Sequence, residues 1–241
     1  MIKGISVLFE NDSCLVLNKP AGLSVQGGEG VKVSLDSILT ENLSPRPFLV
    51  HRLDKDTSGI ILIARNREAA HLFSLLFSGQ QSSSTEDKAG KGKLIIKKYL
   101  GVCKGIPKPG SGTIRFDIDV RGNKKKSRTS YKLLDSCIMG GESVSLLELE
   151  LDTGRMHQIR RHLSLMGHPL LGDDKYGDFS INKKLKKTAG LKHLLLHASG
   201  LTIPPLPEIL PEGMDISAPL PDYFPKTAPF SFPNPDYLLR K

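Results

Sequence analysis

Five consecutive apolar residues, Ile60-Ile61-Leu62-Ile63-Ala64, limit what this chain can become more than any other stretch of it. A run this short and this apolar reads as a buried strand, and Gly59 permits a sharp backbone entry to it. Immediately ahead stand His51-Arg52-Leu53-Asp54-Lys55-Asp56-Thr57-Ser58-Gly59, a segment that sets a carboxylate between cations and hydroxyls. Asp54 therefore belongs to a loop fixed to a rigid element, which is the setting in which catalytic groups are commonly held. Two other readings of the same residues stand beside it: a structural Asp capping a turn, and an Asp54/Asp56 pair acting as a hydrolase or metal dyad.

Other elements follow from spacing. Leu147, Leu149 and Leu151 alternate with Glu148 and Glu150, the pattern of a strand with one wet face. That strand runs into Thr153, which the pattern makes the N-cap of a helix with Met156, Ile159, Leu163 and Met166 inward and Gly167 at its end. Arg160 then lies at the edge of the apolar stripe, where its stem can follow the core while the guanidinium reaches a cleft. A second helix is predicted over 67–77, facing inward through Ala70, Leu72 or Phe73, and Leu76. Residues 80–93 carry almost nothing that can bury a face and read as a mobile insertion loop. Residues 204–241 hold ten of the sixteen prolines and are expected to wrap the domain in extended conformation rather than form helix or central strand. Strands and helices mix without strict alternation, an α+β pattern. No composition break marks a second fold, so residues 1–241 read as one domain.

The net charge of +9 is clustered. Lys88, Lys91, Lys93, Lys97 and Lys98 form one group; Arg121, Lys124, Lys125, Lys126 and Arg128 a second; Lys183, Lys184, Lys186 and Lys187 a third. Clustered basic segments are the electrostatic footprint of a phosphate-backbone partner. Cys14, Cys103 and Cys137 are odd in number, widely spaced and set in apolar surroundings, so they read as reduced packing residues. None forms a C-x-x-C pair, and His157 has no second ligand at a recognised zinc spacing, so no metal site is read. With no signal-like N-terminus and no membrane-length apolar run, the chain reads as a soluble cytoplasmic protein.

Four motifs carry a resemblance. His51-Arg52-Leu53-Asp54-x-x-Thr57-Ser58-Gly59 resembles the signature of the RluA-type pseudouridine synthases, in which this Asp is catalytic, and all seven specified positions match. Upstream, Asn18-Lys19-Pro20-Ala21-Gly22 is similar to the family's first motif. Downstream, Lys98-Tyr99 opens a segment similar to the one carrying its active-site Tyr. Thr153-Gly154-Arg155-Met156-His157-Gln158-Ile159-Arg160 resembles the block that supplies a basic partner to the catalytic Asp. The motifs occur in family order and span most of the chain. The resemblance implies the pseudouridine synthase fold: a mixed, mostly antiparallel bent sheet with flanking helices and a central RNA-binding cleft. Many relatives carry an N-terminal S4 domain; this chain reaches its first motif by residue 11, which leaves no room for one in this reading.

The implied reaction breaks the bond from ribose C1′ to uracil N1, turns the base and rejoins it through C5. It involves no redox change, so no cofactor is expected. The resemblance makes Asp54 the nucleophile, and an ionised carboxylate serves attack at C6, attack at C1′ or a glycal-type route. It pairs Arg160 with Asp54, an arrangement that would depress the carboxyl's pKa and fix its orientation. It sets the Tyr99 ring against the target base, with the hydroxyl acting as or positioning the base at C5. His51, Arg52, Thr57, Lys19, Arg155, His157 and Gln158 are expected to contact RNA or support those that do, and Leu196 to line the base pocket or serve as plain core. The target uridine would be flipped out of its stack. The partner is RNA, ribosomal or transfer, with no membrane or obligate protein partner and a monomeric state. An RNA-binding module that has lost catalysis is the competing class.

Overall fold

The computed structural model describes residues 2, 4–78, 95–120, 122–227 and 230. The segment 80–93 and its lysines lie outside the described residues, as does most of the tail beyond 227. The chain divides into two compact units, Met1–Ile96 with Gly200–Ala218 and Lys97–Ser199 with Pro219–Lys241.

The first unit opens with β1 (Ser6–Glu10), β2 (Cys14–Lys19), α1 (Leu35–Asn42), β3 (Phe48–Leu49), β4 (Ser58–Ala64) and α2 (Arg67–Ser78). β4 is buried at all seven positions, as its apolar run predicts. It pairs antiparallel with β2, which places Leu17 opposite Ile61 and Leu15 opposite Ile63 on one face. Ile60, Leu62 and Ala64 pack on the other face with Ala69 and Phe73 of α2. Ala69 and Phe73 are four residues apart and so share one helix face. Asn66 starts α2 by accepting the Ala69 amide on Oδ1, the work of an N-cap.

The second unit is built on β5 (Ile96–Lys104), β6 (Ser111–Ile114), a small hairpin of β7 (Ile118–Val120) and β8 (Asn123–Lys125), β9 (Thr129–Met139) and β10 (Glu142–Leu151). β10 lies antiparallel between β5 and β9, and β6 pairs with the outer side of β9. The predicted alternation holds: Leu147, Leu149 and Leu151 enter a core with Ile159, Leu163, Leu170 and Leu196, while Glu148 and Glu150 stay half-buried. α3 (Gln158–Leu165) and α4 (Phe179–Thr188) follow. The third basic group rides on α4, whose inward positions are Ile181 and Leu185.

β11 (Leu196–Ile203) passes from the second unit into the first, where Gly200–Ile203 pairs with β12 (Met214–Ser217). α5 (Tyr223–Thr227) closes the described chain. Both β12 and α5 fall in the segment expected to be extended and irregular. Pro225 sits in the first turn of α5, where a proline forfeits no helical hydrogen bond, and β12 occupies a stretch, 212–217, with no proline. α3 also differs from expectation. It begins at Gln158 rather than after Thr153, with His157 at its N-cap in a left-handed conformation (φ 54°). Met156, expected inward, is an exposed hydrophobic residue before the helix.

Candidate active site

In the first unit, the 51–59 loop is tied to the turn after β2. Lys19, the last residue of β2, lies opposite Gly59 (φ 110°) at the start of β4. Its side chain has no exposed surface. The ammonium donates to the carbonyls of Pro20 (2.8 Å), Leu23 (2.8 Å) and Lys55 (3.0 Å). Those three bonds use all the donors an ammonium has. The Gly22 amide adds a fourth link, to the Lys55 carbonyl (2.9 Å). Burial pushes Lys19 down to about 8, against the opposing pull of the Asp56 and then the Asp54 carboxylates. Asp54 is half-buried, and its carbonyl accepts the Thr57 amide (3.2 Å). The catalytic candidate thus sits on a short turn with a buried cation beneath it.

Several of the residues expected to contact RNA or to support those that do are spent on bonds within the protein. Lys19 offers a phosphate nothing, since it is enclosed and fully bonded. The Thr57 hydroxyl is buried, with no hydrogen-bond partner among the described residues. His51 accepts the Leu62 amide of β4 on Nε2 (2.8 Å), an amide that β3, ending at Leu49, does not reach. That bond requires an unprotonated Nε2 and so places the ring proton of neutral His51 on Nδ1. Its ring stacks on Phe77 of α2 at 4.0 Å. Arg52 is exposed.

In the second unit, Tyr99 is half-buried on β5 opposite Leu149. Lys97, two residues earlier on the same strand face, has its Nζ 3.9 Å from where a Cβ on Gly154 would lie. Burial lowers its pKa, which Asp152 opposes and Arg155 reinforces.

Gln158 is buried and works as a four-way brace. Its Oε1 accepts from the Thr153 hydroxyl (2.7 Å) and the Arg155 amide (3.1 Å). Its Nε2 donates to the Arg128 carbonyl (2.9 Å) and to the Thr129 hydroxyl oxygen (3.1 Å). Thr153 therefore caps no amide of α3 directly; its hydroxyl accepts the Arg128 amide (3.4 Å) and donates to Gln158, whose buried side chain is bonded within the protein. Arg155 is exposed. His162, one turn on, is fully enclosed, with Nδ1 2.9 Å from the Thr129 hydroxyl and Nε2 3.0 Å from the Phe116 carbonyl. Burial holds its pKa below the usual imidazole value.

Arg160 is almost wholly buried. Its Nε and Nη2 form a bidentate pair with Asp173 (2.8 Å each), and Nη2 also reaches Asp174 (3.0 Å). The Tyr176 ring lies 5.4 Å from the guanidinium carbon, and the Tyr176 hydroxyl is 3.1 Å from Nδ1 of His157. Sequence reasoning passed over Asp173 and Tyr176. Leu196 is core, packed with Leu149, Leu170 and Ile159. Among the described residues no cluster of three His, Cys, Asp or Glu side chains is arranged to hold a metal ion, and no described helix is long and apolar enough to cross a membrane.

Residues 13–165 match the family model described as RNA pseudouridylate synthase. The ribosomal large subunit pseudouridine synthase C of Rickettsia prowazekii is 37% identical over 209 residues, which is 81% of this chain and 62% of that protein. The protein of the same name from Vibrio parahaemolyticus is 34% identical over 201 residues, 81% of this chain and 60% of its own. The chain thus matches less than two thirds of the length of these relatives. Among solved structures, human RNA Pseudouridylate Synthase Domain Containing 4 superposes with a TM-score of 0.71 at 27% identity, covering 92% of this chain and 91% of that one. Human RNA Pseudouridylate Synthase Domain Containing 1 gives 0.70 at 24% identity, a likeness of fold.

Proposed function

Because the chain belongs to the RNA pseudouridylate synthase family, we propose that it isomerises uridine to pseudouridine in structural RNA, ribosomal RNA of the large subunit before transfer RNA. The names of its relatives support the ribosomal choice. The observation that carries the reading is the mounting of Asp54: a half-buried carboxylate on a turn bound through Lys55 to the buried ammonium of Lys19. A nucleophile held this way loses little orientational freedom before attack. Asp54 serves as the nucleophile, Tyr99 as the group against the base, and Arg160 as the basic partner; the family resemblance supports these roles. Arg52 and Arg155, both exposed, are the motif cations best suited to phosphates.

Atoms balance without an outside reagent. The C1′–N1 bond breaks, C1′–C5 forms, C5 gives up its proton and N1 takes one. The same reading makes the protein a cytoplasmic monomer, in keeping with three cysteines that are all free.

Incubation with RNA tritiated at uracil C5 tests the proposal by release of label to water. Wild type is expected to release it from ribosomal RNA. Asp54→Asn should abolish release with RNA binding and thermal stability nearly unchanged. No release from any cellular RNA, under conditions where a known synthase works, would refute the enzyme. Full biological rescue by Asp54→Asn would favour a pure RNA-binding role.

A further inference from the structure

The segment Gly172-Asp173-Asp174-Lys175-Tyr176-Gly177 shares no residue with the four motifs, yet it is among the most constrained parts of the second unit. Gly172 has φ 75°, and a Cβ there would strike the His193 carbonyl. A Cβ on Gly177 would strike the Asp173 carbonyl. The loop between them is clamped by Asn182 of α4, which accepts the Gly172 amide on Oδ1 (3.0 Å) and donates from Nδ2 to the Asp173 carbonyl (3.0 Å). A loop tied this tightly holds a side chain in one place.

The side chain it holds is the Asp173 carboxylate, which has no exposed surface and faces Arg160. Oδ1 accepts the Lys175 and Tyr176 amides (2.9 Å each) as well as Nη2 of Arg160, and Oδ2 accepts Nε. Burial alone would raise this carboxyl, but the Arg160 bonds and the Tyr176 and Lys175 amides outweigh it and hold it below the usual range. With Nε and Nη2 committed to Asp173 and Asp174, any further bond from Arg160 must leave from Nη1. Tyr176 covers the guanidinium with its ring and reaches His157 with its hydroxyl. His157 is the one non-glycine residue with positive φ among the described residues, and such strain persists only where the surroundings enforce it.

We propose that the 172–177 loop is the positioning element of the proposed site: Asp173 and Tyr176 set the direction in which Arg160 presents its Nη1 edge, and Tyr176 also holds His157 in its left-handed conformation. Neither touches the reacting atoms. The loop adds rate by removing the freedom of an arginine that would otherwise have to be oriented in each turnover. This inference rests on the synthase reading above.

Single-turnover tritium release at saturating enzyme, with RNA affinity measured separately, provides the test. Asp173→Asn retains the shape but turns an amide N–H toward a guanidinium. It should slow the step by about tenfold to a hundredfold per folded molecule, leaving RNA affinity within about twofold. Asp173→Glu should recover part of the loss. Tyr176→Phe and Tyr176→Leu cover the case in which Asp173→Asn does not fold: the first should slow the step modestly through His157, the second more strongly through Arg160. Wild-type rates per folded molecule in whichever of these variants fold would overturn the inference and leave the loop a fold scaffold only. Absence of release from wild type would instead refute the synthase reading on which it rests.

Discussion

Replacing Lys19 with Met separates two opposing effects that meet at one nitrogen. The substitution removes the Lys19 donor from the carbonyls of Pro20, Leu23 and Lys55 and leaves the first two with none. The Lys55 carbonyl keeps the Gly22 amide; an unsatisfied buried acceptor costs about 1–3 kcal/mol, so the other two cost roughly 2–6. Against this, Met no longer buries a charge. The displacement of Lys19 from 10.5 to about 8 is equivalent to roughly 3 kcal/mol held against the fold at neutral pH. Lys19→Met should therefore destabilise by roughly 1 kcal/mol at pH 7, lowering Tm by about 2–4 °C for a chain of this size. Activity of the folded fraction should fall as well, since the Lys55 carbonyl beside Asp54 is then held by the Gly22 amide alone. The pH dependence has a definite sign. The folded-state value lies below the unfolded one, so between pH 8 and 10.5 the unfolded chain still holds the proton that the folded chain has released. Wild type must then gain stability relative to Lys19→Met as pH rises, by up to about 1.4 kcal/mol per pH unit. Denaturant melts of the two proteins at pH 7.5 and 9.5 should show the gap widening by about 2 kcal/mol. A gap that stays constant or narrows would refute the reasoning and show that the three carbonyls, not burial, govern the proton.

Gln158→Leu should cost roughly 3 kcal/mol, because four partners from two segments, 128–129 and 153–155, lose their bonds at once; a thermal shift equivalent to less than about 1 kcal/mol would show that the brace is dispensable. Arg52→Ala should leave stability within about 0.5 kcal/mol, since Arg52 is exposed, while weakening RNA binding and reducing the slope of log affinity against log salt by about 0.7. An unchanged slope would remove Arg52 from the RNA surface.

Much of the fold could be read from local pattern. Residues 60–64 formed the buried strand, Leu147, Leu149 and Leu151 the inward face of β10, and the helix predicted over 67–77 appeared as Arg67–Ser78. These depend on burial periodicity, which neighbours in sequence display. The start of α3 did not follow from pattern. A Thr followed by helical spacing reads as an N-cap, but the amide that Thr153 would have capped belongs to a turn folded around Gln158, and Gln158 is secured by Arg128 and Thr129, about thirty residues away.

The candidate site divides along a related line. Lys19 and His51 are motif residues with polar atoms spent on backbone groups, carbonyls for Lys19 and the Leu62 amide for His51, and Gln158 divides its four bonds between an amide, a carbonyl and two threonine hydroxyls. A backbone partner has no residue identity, so nothing in the sequence distinguishes a lysine that grips carbonyls from one that grips phosphates. Arg160 presents the opposite case. Its partner, Asp173, has an identity but lies in a loop of no recognised motif, and the clue available was structural in kind: two glycines five apart, bracketing two acidic residues and a tyrosine. A run of motif residues therefore mixes two populations, those that face a substrate and those that fix the backbone presenting them. Burial separates the two: enclosed Lys19 and Gln158 hold the turns that carry Asp54 and Arg155, and exposed Arg52 and Arg155 are the cations proposed for the phosphates. The two kinds fail differently when substituted. Loss of a presenting residue should lower stability and rate together, whereas loss of a substrate-facing cation should change affinity and its salt dependence in a protein that melts as wild type does.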